Sequence, residues 1–110
     1  MAYSSYRTYA TSTTGEQPSV NLDPSITPFS VTVAVHVVGG SASFGLEWSF
    51  DDFATVTDAN AVWFTDKLIP TGTTADTYEN YNTPATRMRI NIATNTGGIQ
   101  LKVLQGYCTN

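Results

Sequence analysis

Imidazole chemistry in this chain would have to be built around His36, the one histidine in the sequence. Alternation along the chain sets His36 opposite Ser43 in an expected hairpin, with Glu47 on the same face two residue pairs further along. A serine nucleophile needs a base, a carboxylate that orients the base, and donors for the developing oxyanion. The spacing supplies only the first, so an outward-facing strand histidine is the simpler reading. Asp51-Asp52 could serve as metal ligands or as an acid and base. Neighbouring residues on a strand point to opposite faces, however, so the pair is expected to cap the turn through Phe53 and Ala54. Asp58-Ala59-Asn60 opens like a calcium loop but lacks the glycine and the closing glutamate at their required spacing, so a turn or capping role is expected there. The sequence also holds no phosphate-binding glycine loop, zinc-ligand cluster or serine elbow. No cofactor is expected, and the chain is read as something other than an enzyme.

Aromatic residues offer a different chemistry. Trp48 and Trp63 could stack on a sugar ring, but Trp48 alternates with Phe44 and Phe50 and is expected in a core. In Ala61-Val62-Trp63-Phe64 one of the two rings must point outward, which makes Trp63 a contact candidate.

These residues need elements to hold them. The chain has 110 residues, 41% of them hydrophobic and 13% charged. That length suits one domain, in which folding hides roughly two-thirds of the surface exposed by the unfolded chain. Charge is about half the usual proportion, and Thr, Ser and Asn take its place, a bias toward strands and turns. Nine acidic against five basic residues give a net charge of −4, which offers nothing to a phosphate backbone, so nucleic-acid binding is not expected. A single cysteine, Cys108, rules out an internal disulfide and points to a reducing compartment of synthesis. No run of signal-peptide or membrane-span length is present, so neither ordinary export nor a membrane partner is expected.

Phe29, Val31, Val33, Val35 and Val37 alternate with Ser30, Thr32, Ala34 and His36. After Gly39-Gly40 the pattern resumes, with Ala42, Phe44, Leu46, Trp48 and Phe50 apolar. A tight turn at the two glycines would pair Val37 with Ala42, Val35 with Phe44, Val33 with Leu46, Val31 with Trp48 and Phe29 with Phe50. A second hairpin is expected from Thr86–Ile92 and Ile99–Leu104, with Ile92 facing Ile99 and Arg89 facing Lys102. Its outer side would gather Arg87, Arg89 and Lys102, three of the five cations, as solvated surface or as a patch for an acidic partner. Between the hairpins, short strands are expected at Ala61–Phe64 and Lys67–Pro70. Thr71–Asn82 reads as a polar loop anchored by Tyr78 and Tyr81.

Residues 1–14 carry one charge, Arg7, and tyrosines at positions 3, 6 and 9. Their Ser and Thr content disfavours a helix, and the spacing of three fits one side of an extended chain. The segment is read as an extended arm, 1–14, before a single domain at 15–110. It either lies on a neighbour or adds to that domain as an edge strand.

Four stretches, Trp48-Ser49-Phe50-Asp51-Asp52, Trp63-Phe64, Arg87-Met88-Arg89-Ile90-Asn91 and Val103-Leu104-Gln105-Gly106, carry a resemblance to small structural proteins of tailed bacteriophages. It spans residues 29–106. The resemblance implies an antiparallel β-sandwich, jelly-roll-like, serving as a capsid decoration or cement protein of the virion, made in the host cytoplasm. Its partners would be the major capsid protein or other virion proteins, together with further copies of itself. No functional residue transfers with it. Contacts are expected at Tyr3, Tyr6, Arg7, Tyr9, Trp63, Arg87, Arg89 and Lys102. Alternatives are a tail, adaptor or fibre component, a carbohydrate-binding module with two outward aromatics, and a small hydrolase dependent on His36.

Overall fold

The computed structural model describes residues 2–106, with side chains from Ser4 onward. Nine strands form two antiparallel sheets, and the described residues include no helix. The strands are β1 (Ala2–Tyr9), β2 (Gly15–Glu16), β3 (Val20–Asn21), β4 (Ser30–Val37), β5 (Ala42–Ser49), β6 (Phe64–Thr65), β7 (Thr77–Tyr81), β8 (Arg87–Asn95) and β9 (Ile99–Gly106). Sheet I runs β1-β9-β4-β7, and sheet II runs β2-β8-β5-β6 with β3 also on β8. The protein is an antiparallel β-sandwich.

Alternation builds the core. Val31, Val33 and Val35 of β4 and Ile99, Leu101 and Val103 of β9 face Phe44, Leu46 and Trp48 of β5 and Met88, Ile90 and Ile92 of β8 across the gap between the sheets. The shortest dimension of the molecule is 22 Å, enough for two sheets about 10 Å apart with one layer of side chains outside each.

Neither expected hairpin forms. β4 pairs with β9 and β7, whereas β5 pairs with β8 and β6; likewise β8 and β9 lie in different sheets. Alternation reports which face of a strand is buried, and two apolar faces meet equally well side by side in one sheet or face to face across a core. The glycine segments are therefore corners between sheets. At their shared end Val38 N–H donates to the Gly98 carbonyl at 3.0 Å, and Thr96 N–H donates to the Ser41 carbonyl at 2.9 Å. A Cβ on Gly97 would come within 1.9 Å of the Gly39 carbonyl oxygen, so only glycine lets the two corners touch.

The arm is the second of its two readings over residues 2–9: β1 pairs with β9 from Ala2↔Gly106 to Tyr9↔Ile99. The middle of the chain also departs from expectation. Only Phe64–Thr65 is strand there, and Lys67–Pro70 is not, although the Ile69 carbonyl accepts from Leu46 N–H at 3.0 Å. Thr77–Tyr81, expected as loop, is the edge strand β7. Its alternating residues include no aliphatic side chain, so the strand leaves no hydropathy signal.

Candidate interaction surfaces

The two outer faces of the sandwich differ in how far the chain itself covers them. On sheet II, Arg89 lies opposite Glu47 on the neighbouring strand, and its Nε donates to Glu47 Oε1 at 2.6 Å. A second carboxylate, Glu16, meets the same guanidinium at 2.6 Å. The Trp63 ring lies 4.0 Å below it, and the Trp63 indole N–H donates to the Asp58 carbonyl at 3.0 Å. Arg87 is buried, with Nη1 on Asp58 Oδ1 at 2.7 Å and Nη2 on the Val56 carbonyl. The carboxylate of Asp58 also accepts from the Ser19 hydroxyl at 2.8 Å and from Ser19 N–H at 3.1 Å. Burial pushes the Asp58 pKa up, but Ser19 and Arg87 outweigh it and hold the carboxyl below its ordinary range. Arg87, Arg89 and Trp63 thus fasten the segments around Ser19 and Asp58 onto the sandwich.

The expected three-cation patch is accordingly not formed. Arg87 and Arg89 are ion-paired on sheet II, and Lys102 lies on sheet I between Tyr6 and Ala34. One face of Trp63 is occupied by Arg89, which leaves it poorly placed for a sugar.

Sheet I presents its outer face bare. The register places Tyr6, Lys102, Ala34 and Tyr78 in one row across all four strands. Tyr6 is 66% and Tyr78 74% exposed, and Lys102 makes no ion pair among the described residues. The adjoining row holds Ser4, Leu104, Thr32 and Asn80, with the Asn80 amide donating to Ser30 and Thr32 hydroxyls at 3.1 Å. On the other side His36 Nδ1 meets Asp76 Oδ2 at 2.6 Å, and Asp76 Oδ1 accepts from Val37 N–H at 2.8 Å. The Val37 amide, followed by His36, keeps the Asp76 pKa low. The Ser43–His36 pair does not exist, because Ser43 lies in sheet II opposite Thr94.

The remaining N-terminal candidates divide by face. Arg7 donates to the Pro18 and Ser19 carbonyls at 2.6 and 3.1 Å, tying β1 to the segment between β2 and β3. Tyr9 is buried in the core, where desolvation raises its phenol pKa against the opposing effect of Arg7. The Tyr3 side chain lies outside the described residues, as does Cys108. Asp51 and Asp52 diverge: Asp52 accepts from Ala54 N–H at 2.9 Å, the capping role expected, whereas Asp51 accepts instead from the Val62 N–H, eleven residues on, at 2.7 Å.

A third surface was missed by sequence reasoning. Where β6 and β7 leave the edge of the sandwich open, Trp48, Phe50, Phe64, Leu68, Tyr81 and Ala85 line a cleft of about 480 Å³. Phe50, Phe64 and Leu68 are each more than half exposed, and the Phe50 and Phe64 rings meet edge to face at 5.5 Å. Phe50 was expected in the core, but β5 ends at Ser49. The Tyr81 ring packs on Trp48 at 4.7 Å and its hydroxyl donates to Asp66, which also accepts from Ile69 N–H at 2.9 Å. Burial, then Asp66, pushes the Tyr81 pKa up. Phe64 and Leu68 could have been flagged as large apolar residues in a segment without regular alternation.

No protein-family model matches the chain, and no curated protein matches it by sequence. Among solved structures, the SPBc2 prophage-derived protein YomS aligns over 96% of this chain and 94% of its own, with a TM-score of 0.56 and 12% sequence identity. That likeness is one of fold. A structure of Bacillus endospore appendages, described as a family of disulfide-linked pili, aligns over 98% of this chain and 88% of that one at 12% identity. Its TM-score of 0.42 is too low to support an argument.

Proposed function

We propose that the chain is a structural component of a tailed-phage particle, a capsid decoration or cement protein that docks on the shell through the outer face of sheet I. The observation that carries this reading is the exposed row of Tyr6, Lys102, Ala34 and Tyr78, beside a sheet II face that the chain's own loops already occupy. Exposed tyrosine rings are among the side chains that anchor protein interfaces. The strand order supports the same reading. Sheets β1-β9-β4-β7 and β2-β8-β5-β6 have the connectivity of a jelly roll, an architecture found among viral capsid domains, and a prophage-derived protein shares the fold.

Size sets the manner of binding. Three strands of eight residues and one of five, about 4.8 Å apart and rising about 3.4 Å per residue, give the face roughly 500 Å². A stable pairwise interface takes about 800 Å² per partner. One copy therefore binds weakly, and occupancy comes from many copies on a symmetric lattice that touch shell subunits and each other. Co-sedimentation of the purified protein with undecorated phage shells tests this. The Tyr6→Ser/Tyr78→Ser pair should abolish co-sedimentation with folding intact. Unchanged binding by that variant would remove the proposal, and a map placing the chain in the tail would favour an adaptor or fibre role.

A second reading is favoured by one feature of the same face. Ala34, His36, Asp76, Tyr78 and Lys102 surround a shallow depression of about 350 Å³, and the two outward tyrosines are what a saccharide platform requires. Calorimetry with host-envelope glycans separates the two, since a shell-docking protein gives no heat.

A further inference from the structure

The cleft between β6 and β7 combines three features with a common consequence. Its walls are apolar rings and aliphatic groups, which water solvates poorly. Trp48, 7% exposed, is part of its lining, and its indole N–H, itself buried, finds no acceptor among the described residues. The third feature is β7 itself, which pairs only with β4, so the amides and carbonyls along its other edge are directed away from the sheet. Apolar pockets beside an open strand edge are the two parts of strand-addition recognition: the backbone ladder gives affinity and the pockets select side chains.

Charge on that edge defines the occupant. Glu79 lies opposite Val33 and shares a face with Tyr81, two residues on. Two copies joined about an axis centred on β7 would set Glu79 against Glu79, an opposition that disfavours a second copy of this chain. Of the acidic and basic side chains in the cleft lining, Asp66 is engaged by Tyr81 and Ile69, and Lys67 follows β6 on the opposite wall. We infer that the cleft and the edge of β7 receive one extended segment of a partner protein, antiparallel to β7. A large apolar side chain fills the cleft beside Tyr81, and a lysine or arginine two residues later faces Glu79. This site is separate from the outer face of sheet I and stands whether or not that face binds a shell.

The test titrates the full chain, labelled with nitrogen-15, with the acetylated and amidated peptide Thr-Phe-Thr-Lys-Thr at up to millimolar concentration. The expected result is a saturable shift of the Trp48 indole resonance together with slowed exchange of amides along β7. Replacing Phe by Ser in the peptide, which leaves the protein untouched, should weaken binding by about tenfold or more. Peptide Lys→Glu should weaken it too, and Glu79→Gln should remove the difference between the two peptides. Leu68→Ser should reproduce the loss with an otherwise native amide spectrum. The inference is overturned by an unshifted indole at saturating peptide, by shifts confined to the Tyr6 and Tyr78 face, or by an indole shift without protection along β7. Loss of shell binding in the Tyr6→Ser/Tyr78→Ser variant with peptide binding retained would show the two sites to be independent.

Discussion

At the scale of single residues, the side chains in contact with Asp58 show how a charge-poor chain uses its few ions. Arg87 is 3% exposed and depends on one carboxylate and one carbonyl, so removing the carboxylate strands a buried cation. Asp58 is itself about a third exposed, which lets water relieve part of the cost, and Asp58→Asn should destabilise by about 2–3 kcal/mol at neutral pH. The sign with pH follows from the lowered carboxyl. Its stabilisation is complete above the unfolded value of about 3.9 and is lost as pH falls through the folded value. Urea unfolding at pH 7 and below pH 4 checks this, since the gap between native and variant should close in acid; a gap independent of pH would refute it. Asp58 was legible in the sequence as a turn residue and not as the acceptor for Ser19 and Arg87, because those contacts join segments 39 and 29 residues apart. The exposure of Tyr6, by contrast, could be read from its place in a segment with little else to bury.

The elements were legible as strands and hidden as partners. Phe29–Val37, Ala42–Phe50, Met88–Ile92 and Ile99–Val103 each declare a buried face, and in each the structure buries the expected residues save Phe50 and the half-buried Val37. What a period of two cannot carry is the choice between a hairpin and a corner, because both satisfy the same side chains. The corners themselves decide it through backbone contact. Gly97→Ala drives a Cβ into the Gly39 carbonyl and should cost at least about 2 kcal/mol. Gly39→Ala adds a methyl into open space at a backbone angle alanine adopts, and should change stability by less than about 1 kcal/mol in either direction. Denaturant midpoints for the two variants distinguish a corner from a two-residue hairpin turn at Gly39-Gly40, where Gly39→Ala would carry a loss of its own. Equal losses would contradict the packing described for this end of the sandwich.

For the whole molecule, the decisive contact is the longest in sequence. β1 lies against β9 along its full length, with Ala2 beside Gly106 and Tyr9 in the core. The N-terminal segment is therefore part of what holds sheet I together, and its removal is not a clean test of docking. A chain beginning at Ala10 should lose cooperative unfolding and aggregate through the newly exposed edge of β9, whereas Tyr6→Ser should remain folded and cooperative. Thermal unfolding followed by circular dichroism, with sedimentation velocity alongside, compares them. A truncated chain that melts cooperatively as a single species would show β1 to be dispensable.

β9 has a further consequence for how the protein is made. It is translated after every other strand described, yet it sits second in sheet I, between β1 and β4. Until it leaves the ribosome, β1 has nothing to join and β4 lacks one of its two neighbours. A chain that stops before Ile99 leaves two strands open to proteases, so translation through β9 doubles as an inspection step for the fold.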